Sequence, residues 1–493
     1  MTKNQNLLTG LEPAVLWNHF ATLSEIPHGS GDEAKLAEFI LALAVGKNFY
    51  SYRDEGGNVF VRIPATEGYE NYPSLCFQSH IDMVLAKEEH VESIFPLQLR
   101  IENDKLMATD TTLGADNGIG VSAMMAIITE STISHGPLEL LFTVAEEIGM
   151  KGAEVFDFSE LESQFIINLD SEEENVIFVG CAGGIQVQGE FSGVMERLSR
   201  TSAYDCKMAI SLTGLSGGHS GLKIREGKAN AIKIMAQLLE AIDGDKFAIV
   251  SFDGGDFVNQ IPVKSEVTII LLDEDREELM AAMKEKLAFI ATDFPKESLQ
   301  LAFTSLPFVD DDYVVGDDYQ DSLLAGILAL PDGILSMEPL DNNLLRSSNN
   351  VGVIKTDTSS IKIDCLIRSS STAQMEYIQK MIESAFYLAY AGTNILMNFP
   401  PWVPKFDSKL LTLVKQMSLE VFGVEAKVES IHAGLECSKI DSALPRAEKL
   451  SFGPQMGLVH TSSEWVSIPS VAKFWQLLLL ILESGGVVQE KTE

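Results

Sequence analysis

The sequence predicts an α/β protein with a mixed, largely parallel sheet, joined to a region of α+β character. Three observations carry this. Before residue 187, segments of helical period alternate with short runs rich in β-branched and aromatic residues, the pattern of a largely parallel sheet. Three of those runs end in histidine or acidic residues. After about residue 187 the order changes to strand, helix, strand, and a second similar set follows.

Taken in order, a helix is expected over 34–44 and strands over 58–63, 74–78, 138–144 and 165–169, with a helix over 119–130. The second strand run leads into His80, the third into Glu146 and Glu147, and the fourth into Asp170. Open α/β sheets place their ligand sites at such carboxyl ends. The middle region predicts elements at 209–213, 229–241, 266–272 and 277–291, then at 351–355, 360–368 and 373–391, two sets compatible with a diverged duplication. Pro400, Pro401 and Pro404 mark a return to the first domain, where helices are expected over 408–422 and 470–483.

The chain has 493 residues, enough for two or three domains, and its 46% apolar and 22% charged content is that of a folded protein. Lys and Arg number 36 against 71 Asp and Glu, so the formal net charge is −35. A field of that sign repels nucleic acid and anionic membrane surfaces, and neither is an expected partner. Residues 1–10 carry no apolar core of a secretory signal, so a cytoplasmic location is expected. The longest apolar stretch, 474–482, is too short to span a bilayer and contains Gln476. Cys76, Cys181, Cys206, Cys365 and Cys437 are scattered and never form a CxxC pair, so buried free thiols are expected.

The candidates for chemistry are few. His80 and Asp82 lie two residues apart on an extended chain and share a face, so a carboxylate can support a metal-ligating imidazole. The plainer reading is a surface histidine beside a turn aspartate. Asp116 sits in the glycine-flanked turn 113–118; it could simply cap the following helix, or a carboxylate held there could bridge two cations. Glu146 and Glu147 are adjacent acids at the mouth of a sheet, an arrangement that makes sense when a cation offsets their repulsion. A solvated acidic loop is the alternative. Of the acids at 170–174, Asp170 stands out because it ends a strand run. Segment 217–221 lacks the Lys-Ser/Thr ending of a phosphate loop, leaving His219 as a turn residue or an oxyanion donor. His460 is undistinguished alone, and His19, His28, His90, His135 and His432 are read as structural or surface.

Taken together these motifs resemble a known family. SHIDMV at 79–84, TTLGADNGIG at 111–120, TVAEEIGMKGA at 143–153 and INLDSEEE at 167–174 carry the likeness. CAGGI at 181–185, GLSGGHSG at 214–221, NVGVI at 350–354, CLIRS at 365–369 and HAGLEC at 432–437 complete it. The chain resembles the aminoacyl-histidine dipeptidases, or cytosol non-specific dipeptidases, a branch of the two-zinc peptidase superfamily that includes carboxypeptidase G and aminoacylase. The resemblance implies a phosphorylase/hydrolase-like catalytic domain formed by 1–187 and 400–493, with an α+β lid domain, 188–399, inserted between.

By the same resemblance, one Zn2+ is held by His80 and Asp170 and a second by Glu147 and His460, with Asp116 bridging them; Mn2+ or Co2+ would suit the same ligands. Asp82 would orient His80, and Glu146 would be the base that takes a proton from the metal-bridging water. His219 would contact the developing oxyanion, and Asn259 and Arg368 would hold the substrate, Arg368 through its C-terminal carboxylate. Gly434 and Glu436 would border the substrate. In one departure, the segment around His460 reads GLVHTSSEW where the family has Gly-Pro-His-Ser-Pro-Asp-Glu, and losing both prolines frees that loop.

The implied activity is hydrolysis of unblocked dipeptides with broad specificity, Xaa-His such as β-Ala-His included. The alternatives are a deacylase of N-acyl amino acids on the same scaffold and a non-catalytic binding protein; the presence of every ligand and the base speaks against the latter. Relatives pair through their lids, so the implied assembly is a homodimer, unless the large lid serves that purpose within one chain.

Overall fold

The computed structural model describes residues 1–198, 204–309, 312–338 and 341–485. It divides into two units, one formed by Met1–Cys181, Trp402–Ile431 and Leu435–Glu493, the other by Ala182–Pro401 and His432–Gly434. The division falls at Cys181 and Ala182 because the strand Gly183–Ser192 is an inner strand of the second sheet, bonded on both sides by Ser360–Ser369 and Gly392–Phe399.

The first unit holds an eight-stranded mixed sheet in the order Tyr50–Arg53, Val59–Ile63, Leu138–Thr143, Leu75–His80, Phe165–Asn168, Glu448–Ser451, Val176–Cys181, Lys427–Ile431. The four central strands run parallel. Leu75–His80 and Leu138–Thr143 are buried at every position, so apolar residues fall on both faces of each strand and the polar Gln78, Ser79, His80, Glu139 and Thr143 are buried with them. Register then aligns their carboxyl ends: His80 pairs with Thr143 and Gln78 with Asn168. Glu146 follows Thr143 by three residues and Asp170 follows Asn168 by two, so local sequence delivers His80, Glu146, Glu147 and Asp170 to one edge of the sheet.

The helix Ala115–Thr129 is buried along nearly its whole length, and Asp116 and Asn117 at its start have non-helical backbone angles. It lies close to the sheet. A Cβ at Gly120 would stand 2.2 Å from Asn117 Oδ1, 2.5 Å from Ser79 Oγ and 3.0 Å from Leu169 Cβ. Gly120→Ala is therefore expected to cost about 1–3 kcal/mol through overpacking. Urea melts followed by circular dichroism check this, and an unchanged midpoint would show that the helix can simply shift away.

The second unit is built on a nine-stranded antiparallel sheet in which both strand–helix–strand sets share one layer, with Asp341–Thr356 next to Phe247–Gly254. The strand Cys206–Thr213 alternates buried and half-buried residues, and Met208, Ile210 and Leu212 join a core with residues of the helices Ala231–Glu240, Arg276–Ile290, Asp317–Ala329 and Thr372–Leu388. One covered face and one wetter face give that alternation. The apolar stretch near the C-terminus becomes the helix Ile468–Glu483, whose Phe474, Leu478 and Ile481 enter the first core. Among the described residues no helix is long and apolar enough to cross a membrane. All five cysteines are buried free thiols.

Candidate metal centre

His80 closes its strand with a buried ring whose Nδ1 donates to the backbone carbonyl of Asp82 at 3.0 Å. That bond places the proton of the neutral ring on Nδ1 and turns Nε2 toward Asp116 Oδ1, 3.3 Å away, and Asp170 Oδ1, 3.2 Å away. Asp116 is shared. Its Oδ2 lies 3.2 Å from His460 Nε2, and the same nitrogen is 2.7 Å from Glu147 Oε1. One carboxylate thus offers one oxygen toward each histidine.

Among the described residues three donor groups gather within 4.8 Å: His80, Asp116 and Asp170; His80, Glu146 and Glu147; and Asp116, Glu147 and His460. The first and third share Asp116 and use one histidine and one further acid each. Electrostatics favour a cation here. Burial, reinforced by Glu147, Asp170 and Glu436, pushes the Glu146 carboxyl well above its ordinary range against the pull of His80. Burial and Asp116 raise Asp170 to about 7, and Glu147 is raised by burial with Asp116 adding to it. Burial disfavours the charged form of His460, yet Asp116 and Glu147 override it and push the ring up to about 12. Two imidazoles cannot offset four crowded carboxylates without holding protons themselves. Divalent cations remove that cost, and borderline nitrogen with hard oxygen donors suits them.

Asp82 does more than face His80. Its carboxylate is 3.5 Å from the ring nitrogen but accepts the N–H groups of Glu146 at 3.0 Å and Glu147 at 3.2 Å, and the Ser30 hydroxyl at 2.8 Å. The expected carboxylate support of His80 is therefore shared with the Asp82 carbonyl, because the side chain is occupied by the turn that carries the two glutamates. Ser30 carries no sequence signal. Asn117, whose Nδ2 donates to Asp170 Oδ1 at 2.6 Å, was legible as the neighbour of Asp116.

Glu436 lies beneath the strand ends. It is 0% exposed, accepts from Thr143 Oγ1 at 2.6 Å and pairs with Gln78, whose Oε1 accepts from Asn168 Nδ2 at 2.7 Å. This carboxylate braces the ends of the strands that carry Gln78 and Thr143.

The remaining candidates lie in the second unit. His219 Nδ1 accepts from the amides of Gly221 and Leu222, both at 3.2 Å, so the neutral ring carries its proton on Nε2. Arg368 Nη2 is 3.4 Å from that nitrogen, and two donors so placed can share one anionic oxygen. The strand Gly218–His219 pairs with Gln260–Ile261, which sets Asn259 beside the His219 loop; its carbonyl accepts from Ser220 N at 2.8 Å. Gly434 belongs to the short stretch His432–Gly434 that clusters with this unit. His432 is itself anchored there, its Nε2 2.8 Å from Ser348 Oγ, and its pKa is pushed down to about 3 by burial, with Arg368 and Arg225 adding to it.

Residues 76–484 match the model of peptidase family M20/M25/M40. The chain belongs to this peptidase family. Family members similar to it include the cytosol non-specific dipeptidase of Escherichia coli strain K12, 33% identical over 97% of this chain and 98% of that protein. Among solved structures, the aminoacylhistidine dipeptidase of Vibrio alginolyticus superposes with a TM-score of 0.76 at 33% identity, covering 98% of this chain and 99% of that one. The aminopeptidase PepT of Bacillus cereus shares the family fold, with a TM-score of 0.56 at 17% identity over 97% of this chain and all of its own.

Proposed function

We propose that this chain hydrolyses the peptide bond of unblocked dipeptides with broad specificity, Xaa-His such as β-Ala-His included. The observation that carries the reading is Asp116, one oxygen toward His80 and the other toward His460, with Asp170 and Glu147 as outer acids. Two relatives that match over nearly their whole length agree with it: one is a cytosol non-specific dipeptidase, the other an aminoacylhistidine dipeptidase.

In this reading His80 and Asp170 hold one divalent cation, Glu147 and His460 hold another, and Asp116 serves both. Zinc is the proposed ion, with Mn2+ or Co2+ accepted by the same donors. Bound there, such ions supply Lewis-acid polarisation of the scissile carbonyl and lower the pKa of water. Glu146 takes a proton from the attacking water as the C–O bond forms, and returns it to the leaving amine as the C–N bond breaks. Asp82 keeps Glu146 and Glu147 in place through their backbone N–H groups. From the lid, His219 donates from Nε2 to the developing oxyanion, Arg368 takes the substrate carboxylate, and Asn259 and Gly434 help hold the substrate.

The test is an assay of β-Ala-His, several α-dipeptides, a tripeptide and an N-acetyl amino acid with chelated and zinc-reconstituted protein. Dipeptide cleavage is expected only with metal restored, together with no turnover of the N-acetyl compound. Cleavage of the N-acetyl amino acid in preference to every dipeptide would replace this reading with deacylation.

A further inference from the structure

Glu464 is 2% exposed, yet it is an acid, placed four residues after His460 and the one Asp or Glu in residues 449–482. Its side chain is fully occupied by backbone. Oε2 accepts from Leu113 N at 2.8 Å and Gly114 N at 3.0 Å, and Oε1 accepts from Ala115 N at 2.8 Å. Three consecutive amides make a concave anion nest, and the bonds to an ionised acceptor are of the stronger, charge-assisted kind. Gly114 makes the nest possible. Its φ of +66° lies in the left-handed region, and a Cβ there would stand 2.7 Å from Met83 Sδ.

The carboxylate itself is held from both sides. Before it, Glu464 N donates to Thr461 O at 3.1 Å and Thr461 Oγ1 to Leu458 O at 2.6 Å. After it, the strand Trp465–Ser467 pairs with Lys105–Ala108. The nest ends one residue before Asp116. Among the described residues, the hydrogen bonds joining segment 458–464 to residues 113–116 are the three from Glu464 and the approach of His460 to Asp116 itself. His80 ends a strand tied to its neighbours by a full ladder, and Asp170 lies just beyond another. His460 has no such support, and its loop lacks the prolines that would stiffen it.

We infer that Glu464 is a positioning residue that locks the His460 loop to the Asp116 turn and thereby sets the affinity of the cation shared by Asp116, Glu147 and His460. This rests on the two-cation reading above. In Glu464→Gln the amide can accept at one end only, and its NH2 group faces an N–H of the nest.

The experiment is equilibrium dialysis of the metal-free full chain and of Glu464→Gln against buffered Zn2+, with bound metal measured, and a parallel Co2+ titration followed by visible absorption. The weaker of the two stepwise affinities is expected to fall roughly 10–100-fold, the range for partners that orient metal ligands, while the tighter one holds. The kcat of the variant should recover as free Zn2+ is raised, with the dipeptide KM unchanged. Two affinities equal to those of the parent chain overturn the inference. A parent chain that binds fewer than two cations overturns the underlying reading instead. Should the variant not fold, hydrogen exchange on the metal-free parent decides: Leu113, Gly114 and Ala115 amides are expected to be protected, and free exchange there overturns the preformed clamp.

Discussion

Glu146→Gln is expected to lower kcat for dipeptides by about 10²- to 10⁴-fold, the usual worth of a general acid–base, while leaving two cations bound. The amide keeps the shape of the side chain but cannot accept a proton from water. In free-energy terms that is about 3–5 kcal/mol of barrier. A competing arrangement is visible in the same structure, because Glu146 also groups with His80 and Glu147 within 4.8 Å and could itself be a ligand. The variant separates the two roles. Loss of turnover with full metal content assigns Glu146 to proton transfer, whereas loss of metal in parallel with turnover assigns it to ligation. Unchanged turnover in a metal-replete sample would sink the mechanism.

Asp116→Ala is expected to have the broadest effect on metal binding, because the residue turns one oxygen to each histidine, 3.3 Å from His80 and 3.2 Å from His460. Affinity at both sites should fall by more than the roughly 10–100-fold typical of residues that only orient ligands, and activity at ordinary metal levels should vanish. His460→Ala should instead spare the cation of His80 and Asp170. Thermal melts give a readout independent of activity. A ligand present at a hundredfold excess over its dissociation constant stabilises the folded state by about 2.7 kcal/mol, so chelation should lower the Tm of the parent chain. The Tm of Asp116→Ala should not respond. A variant that still loses stability on chelation would show that the centre does not depend on a shared carboxylate.

Much of the site is written in local pattern. The short runs at 74–78, 138–144 and 165–169 read as strands from their length and composition, and parallel strands in one sheet bring their carboxyl ends together. His80, Glu146, Glu147 and Asp170 follow directly, since each ends or just follows such a run. The turn around Asp116 was equally visible through its flanking glycines. The activity came from the motif likeness, which added the roles that residue types alone leave open.

Other features have no local signature. His460 meets Asp116 across 344 positions of sequence, and nothing near either residue encodes the approach. The three residues His432–Gly434 cross into the second unit while Glu436, two positions on, is sealed under the strand ends of the first. Asp82 gives its carboxylate to the Glu146 turn, and Glu464 gives its own to the amides before Asp116. The sequence by itself determined the elements, the sheet edge and most of the donors, because periodicity and burial are properties of a short window. Only the tertiary structure decided which oxygen faces which nitrogen and which buried acid is a brace, because those choices are made by side chains from distant segments competing for the same few hydrogen bonds.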